Sequence, residues 1–235
     1  LESVYTATNG HVSFFDEPLI RKIAMFPLHA HIAGRYFINF ADCGAQPLLD
    51  GERIARFGMR TNQPELERFG LWLAKQRNSV RPLDTPQMSR VLQRLFMPEA
   101  QTEEPKGKPF SALPNLQVFA WRRGGLYVAA KGGHNGESHN HNDVGSLMVY
   151  VDGHPLLDGE PEIIDVGNCV YTAKTFGAER YELMNTRSKN HNVPLIGSME
   201  QVCGRQHAAK DVRADENGVR MNIAGAYPDH VISLI

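Results

Sequence analysis

The 235-residue sequence contains no run of about 18 apolar residues, so nothing in it reads as a membrane-spanning helix. Its first residues carry no basic segment followed by an apolar one, the pattern of a secretory leader. Neither sign of charge dominates. With 25 Lys and Arg against 26 Asp and Glu the formal charge is −1, which argues against nucleic acid or a membrane surface as partner. Cysteine is scarce as well. Cys43, Cys169 and Cys203 are odd in number and widely spaced, which argues against a disulfide framework and against a CxxC metal site. Three buried thiols are expected instead, and they leave the compartment open. Residue 1 is Leu rather than Met, and LESVYTATNG reads as the end of a helix stopped at Asn9-Gly10 with nothing ahead to start it. The chain is therefore expected to begin inside a larger protein.

What is present is an ordinary globular composition, 42% hydrophobic and 22% charged, enough for one or two domains. The two halves follow different patterns. Residues 1 to about 98 read as helical: Asp16-Glu17-Pro18 signals a helix start ahead of LIRKIAMF, and Asn62-Gln63-Pro64-Glu65 signals another. Leu66, Phe69, Trp72 and Leu73 then recur at helical spacing, as plain core residues do. Thr85-Pro86 opens a third helix with Val91, Leu92 and Leu95 inward. Residues 99 to 115, ending in QTEEPKGKPFSALPN, are polar and proline-rich and read as a connection. From Leu116 onward strands dominate. LQVFAW and LYVAAK flank a hairpin turn at Arg122–Gly125, VGSLMVYV ends at the Asp152-Gly153 turn, and HAAKDVRA and GVRMNIAGAY flank a turn at Asp215–Gly218. These patterns predict an α+β protein, a helical region over 1–105 followed by antiparallel strands over 106–235.

The ten histidines are unevenly placed. His11, His29, His31, His207 and His230 have no acidic partner at a repeating spacing and read as structural. GESHNHND, residues 136 to 143, differs: His139, His141 and Asp143 stand at every second position, where an extended chain would point all three the same way. His134 and Glu137 lie close by, and His191 stands in a polar loop, TRSKNHNVPLIG. Imidazoles and carboxylates drawn from separate segments are a common way to build a zinc site, and hydrogen-bonded loop histidines are the competing explanation.

Three motifs in order, GGHNGESHNHNDVGSLMVYVDG, IDVGNCVYTAKTFGAERYE and NTRSKNHNVPLIG, resemble the carboxy-terminal domain of the heparinase II/III family of polysaccharide lyases, and the likeness runs over residues 132 to 197. The first half, with VYTATNG and then DEPLIRKI and HIAGRYFINFAD, is similar to the last helices of the α/α-toroid that precedes that domain. The resemblance implies the end of an α/α-toroid joined to an antiparallel β-sandwich that is incomplete at the C-terminus. It implies a Zn2+ held by His141, Asp165 and His191, with His139 facing the substrate as the catalytic histidine. Asp143 then orients a ligand at most. Arg180 and Tyr181 of FGAERYE match a sugar-contacting region. Arg suits a carboxylate or sulfate and Tyr a sugar face, while an Arg bridging two loops and a Tyr packed on the sheet is the alternative.

The gap from His141 to Asp165 exceeds the family's usual gap. DGHPLL, residues 152 to 157, is followed directly by DGEPEI, residues 158 to 163, which reads as a tandem duplication at a hairpin tip, where extra residues cost little. Asp165 in IIDVG is accordingly favoured as the matching aspartate, with Asp158 as the alternative. Asp158, nearer by simple counting, lacks the Val-Gly-Asn that follows it. The implied reaction is β-elimination in a uronic-acid-containing polysaccharide, with an acidic polymer as partner and the periplasm or cell exterior as compartment, the cytoplasm being the alternative. Relatives act on heparin, heparan and alginate-like uronates. The toroid tyrosine that such lyases use is absent from this chain, and Tyr5 and Tyr36 read as packing residues. A noncatalytic carbohydrate-binding β-sandwich with a structural zinc is the second reading. A hydrolase using a zinc-activated water and Glu137 as base is a more remote third.

Overall fold

The computed structural model describes residues 1–76, 103–152, 154–155, 165–229, 231 and 233–234. The helix expected after Thr85-Pro86, residues 156–163 of the tandem DG segment with Asp158 among them, and His230 lie outside the described residues. The chain divides into two compact units, one made of 1–30 and 48–106, the other of 31–47 and 107–235. No described helix is long and apolar enough to cross a membrane.

The first unit is helical, with α1 (Glu2–Ala7), α2 (Pro18–Ala24), α3 (Phe26–Ala30), α4 (Gly51–Arg60) and α5 (Pro64–Gln76). As expected, α1 stops at Asn9 and Gly10, which take φ of +49° and +81°. Pro18 and Pro64 open α2 and α5, where a missing N–H costs nothing. α4, not singled out from the sequence, is capped by Asp50, whose carboxylate accepts the Arg53 N–H at 3.1 Å. α5 buries Leu66, Phe69, Trp72 and Leu73, the stripe its spacing requires. α4 and α5 touch backbone to backbone. A Cβ on Gly70 would lie 2.1 Å from the Ala55 nitrogen, and one on Gly58 2.4 Å from the Glu67 nitrogen. Glu2 fastens α1 to α4 by accepting from both Arg56 and Arg60. Tyr5 packs as expected, edge-on to Phe15 and beneath the Arg60 guanidinium. Leu19 and Ile23 on α2 and Phe26 at the start of α3 remain 66%, 52% and 46% exposed.

The second unit is mostly strands. β1 (His31–Ala33) and β2 (Tyr36–Phe37) pair with each other. β3 (Phe110–Leu113), β4 (Val118–Arg123), β5 (Leu126–Lys131), β7 (Leu147–Val151) and β8 (His154–Pro155) form an antiparallel five-stranded sheet in the order β3-β4-β5-β7-β8. β6 (His134–Asn135) pairs with β9 (Gly204–Ala208), and β10 (Lys210–Asp215) with β11 (Gly218–Asn222). The hairpins expected at Arg122–Gly125 and Asp215–Gly218 are both present. Gly124 and Gly125, with φ of +55° and +85°, make the two-residue turn that L side chains resist.

Three sequence expectations need revision here. The supposed connection up to residue 115 contains β3, since Phe110 to Leu113 can hydrogen-bond to β4. Residues 31–47, read with the helical half, belong to the strand-rich unit: Ile32, Ala33, Tyr36, Ile38 and Phe40 pack with Ala120, Tyr127, Ala129, Met148 and Tyr150 in one core. A second core gathers Val144, Ala209, Ile223, Ala226 and Tyr227. The expectation of three buried thiols also fails, because Cys169 and Cys203 are exposed and only Cys43 is partly covered.

Candidate functional site

Four loop segments of the second unit meet at the histidines. The GESHNHND stretch is one of them, and it is a series of turns between β6 and β7 rather than a strand. His139 takes the left-handed conformation at φ +56°, uncommon for a residue with a Cβ. Alternate positions therefore do not share a face: His139 is exposed, whereas His141 and Asp143 are fully buried. The turns are held from below by Gln201, whose side chain accepts from the Asn135 amide and the Val144 N–H, each at 3.0 Å, and donates to the Val144 carbonyl at 2.7 Å. Asp143 faces Lys131, also buried, and Glu137 completes the pair from 3.2 Å on the lysine nitrogen. The hydrolase reading loses its base here, since Glu137 is spent on Lys131 and on the His134 N–H.

His141, Asp165 and His191 come together. One ligand atom from each lies within 4.8 Å of the others, and the residues are 0%, 1% and 8% exposed. Such a group could hold a metal ion. Each member is oriented by its remaining polar atom. His191 directs Nε2 at the Asn185 carbonyl, 2.9 Å away, leaving Nδ1 beside Asp165 Oδ2 at 3.0 Å. Asp165 accepts the Gly167 N–H through Oδ1 at 2.9 Å. His141 directs Nε2 at Asp42 Oδ1, 2.9 Å away, and its buried Nδ1 has no hydrogen-bond partner among the described residues. A buried imidazole nitrogen left bare costs free energy, and a cation beside two imidazoles and a carboxylate would remove that cost.

Burial sets the protonation states first. It pushes His141 below the ordinary histidine value despite the opposing pull of Asp42, which keeps the imidazole in the neutral form a metal requires. Burial acts on His191 in the same sense, but the hydrogen bond and charge of Asp165 outweigh it and leave that imidazole above the ordinary value. Asp143 is raised by burial, with Lys131 opposing.

Asp42 is the site residue that sequence reasoning missed. Its carboxylate, 4% exposed, accepts from His141 through Oδ1 and from His139 Nδ1 through Oδ2 at 2.9 Å. Tyr171 and Arg180 also donate to Oδ2, each at 3.3 Å. Partial burial raises the Asp42 carboxyl, but hydrogen bonds from both histidines and the charge of Arg180 bring it below the ordinary carboxylate value. Nothing in FINFADCG marks this aspartate from a distance along the chain. His139, its side chain 48% exposed, lies among Tyr171 and Phe176, whose ring centroids are 6.4 and 5.7 Å from its own.

Arg180 is buried and donates to the Asn140 carbonyl, the Thr175 carbonyl and Asp42, so its hydrogen bonds describe the loop-bridging alternative. Tyr181 is half-buried, its hydroxyl accepting from the Asn140 amide at 3.2 Å. Tyr36 packs against Tyr150, as expected of a core residue. No family model matches the sequence, and no curated protein matches it either.

Proposed function

We propose that the protein is a zinc-supported polysaccharide lyase of the heparinase II/III kind that cleaves a uronic-acid-containing polymer by β-elimination. On this reading the helical unit is the end of an α/α-toroid and the strand-rich unit a β-sandwich, working in the periplasm or outside the cell. One observation carries it: an exposed histidine, His139, and a buried His-Asp-His group are joined through a single carboxylate, Asp42. Two imidazoles and a carboxylate suit zinc, with room for a fourth ligand. Zinc, when bound, supplies fixed positive charge and braces the loops that carry its ligands.

In the elimination, the C–H bond beside the substrate carboxylate breaks and its electron pair becomes the new C=C bond. The glycosidic C–O bond on the neighbouring carbon breaks, its pair leaving on oxygen. His139 is the candidate base, since a neutral imidazole within hydrogen-bond reach of that proton can accept it near pH 7. Tyr181 and the exposed rings of Tyr171 and Phe176 offer apolar faces for a sugar. In the complete enzyme, His139→Ala should abolish the new ultraviolet absorbance of unsaturated uronate ends while zinc content stays the same. A variant that keeps turnover overturns the role of His139. Elemental analysis finding no stoichiometric zinc in the wild-type protein overturns the metal.

One observation favours the second reading, a noncatalytic carbohydrate-binding sandwich with a structural zinc. His141, Asp165 and His191 are all buried and Arg180 is committed to loop bridging, as a brace would need. Binding of an acidic oligosaccharide by the complete protein, with no unsaturated ends released over long incubation, would establish it.

A further inference from the structure

Asp42 stands between two histidines of opposite surroundings, one fully buried and one open to solvent. A carboxylate offers lone pairs and no proton, so whichever ring nitrogen faces it must carry the hydrogen. His141 presents Nε2 to Oδ1 and His139 presents Nδ1 to Oδ2, both at 2.9 Å. The two rings thus meet one group through different nitrogens. The Asn185 amide nitrogen also approaches His141 Nε2, but at 3.4 Å, and it has the Gly167 carbonyl as another partner. The shorter contact decides the proton.

We infer that Asp42 is a positioning residue that fixes opposite tautomers on its two histidines: Nε2–H on His141, which frees Nδ1 as a ligand atom, and Nδ1–H on His139, which leaves Nε2 as its basic nitrogen. The second assignment is the less favoured tautomer of free histidine, so its presence would be diagnostic. Arg180 and Tyr171 hold the same carboxylate oxygen that receives His139, which restrains it from turning away; the Tyr171 hydroxyl, its one proton directed at that oxygen, also lies 3.3 Å from His139 Nδ1, a longer contact than the 2.9 Å to Asp42. The carboxylate therefore couples a candidate metal ligand to a candidate base. Orienting groups of this kind are worth about 10- to 100-fold in metal affinity when removed. Only the half concerning His141 rests on the metal reading; the tautomers themselves do not.

Side-chain nitrogen NMR of the chelator-treated 235-residue protein, labelled with 15N-histidine and recorded above neutral pH, reads the tautomers directly. Signals are assigned by their loss in His139→Gln and His141→Gln. The wild-type protein should show His139 protonated at Nδ1 and His141 at Nε2, and Asp42→Asn should return His139 toward the tautomer mixture of free histidine. Zinc affinity, measured by chelator competition, should fall about 10- to 100-fold in Asp42→Asn. His139→Gln should leave that affinity within about twofold of wild type, because only the His141 side of the carboxylate serves the metal. Either histidine carrying its proton on the other nitrogen in the wild-type protein overturns the inference, and so does an Asp42→Asn protein with unchanged tautomers. A wild-type protein with these tautomers that takes up no zinc supports the role of Asp42 and overturns the metal reading alone. If Asp42→Asn does not fold, the wild-type tautomers decide.

Discussion

Lys131 and Asp143 show how much a single residue can weigh in this molecule. Both are buried, 3% and 0% exposed; the Asp143 charge is compensated by Lys131, and Lys131 by Asp143 together with Glu137. Removing one partner leaves an uncompensated buried charge, a loss of about 3–5 kcal/mol, far above the cost of an exposed pair. Lys131→Met should therefore lower the denaturant midpoint severely, and adding Asp143→Leu to it should recover most of the loss. Glu2 is the milder case. Burial pushes its carboxyl up, but hydrogen bonds and charge from Arg60 and Arg56 prevail and hold it below the ordinary value of 4.5. A depressed folded-state value stabilises above the unfolded one and is lost as pH falls through it. Glu2→Gln should thus cost about 1 kcal/mol at pH 7, and the gap between its melting temperature and that of the wild type should narrow as pH falls below 4.5 and through the depressed value.

Among the elements, the paired helices α4 and α5 put two effects in opposition. Gly→Ala inside a helix gains about 1 kcal/mol of propensity. At Gly70 the added methyl would meet the Ala55 backbone nitrogen at 2.1 Å, and overpacking against backbone that cannot yield costs more, about 1–3 kcal/mol or above. Gly70→Ala should destabilise the helical unit, read by loss of ellipticity on heating; a stabilised variant would mean the helices slide apart freely. Local signals of this kind were legible in the sequence. The stripe of α5 and the Gly124-Gly125 turn depend on neighbours a few residues away, so pattern sufficed. The spacing of two in GESHNHND misled because a strand and a chain of turns share it, and only the left-handed His139 separates them. β3 was missed because proline and lysine around it carry the composition of a linker.

For the molecule as a whole, His141, Asp165 and His191 could be named beforehand only through resemblance, and they do converge. Asp42 could not, because its role comes from contacts with residues about a hundred positions away. A bound ion should act on the same set of segments. At zinc a hundredfold above its Kd, linkage adds about 2.7 kcal/mol. The slowed amide hydrogen exchange should fall on residues 39–43, 136–146 and 165–191, and uniform protection of α4 and α5 instead would place the ion elsewhere.

The insertion of residues 31–47 into the strand-rich unit has a consequence for synthesis. The ribosome delivers this segment well before the strands it packs upon, so Ile32, Ile38 and Phe40 wait without their sheet while the helices that follow are made. The strand-rich unit cannot close its core until late in translation, whereas α4 and α5 have everything they need at once. A gene cut in the stretch ahead of β3, where composition invites the scissors, would yield a downstream fragment lacking both its core plug and Asp42. Expressed alone that fragment should aggregate, and supplying residues 31–47 as a fused N-terminal segment should rescue it.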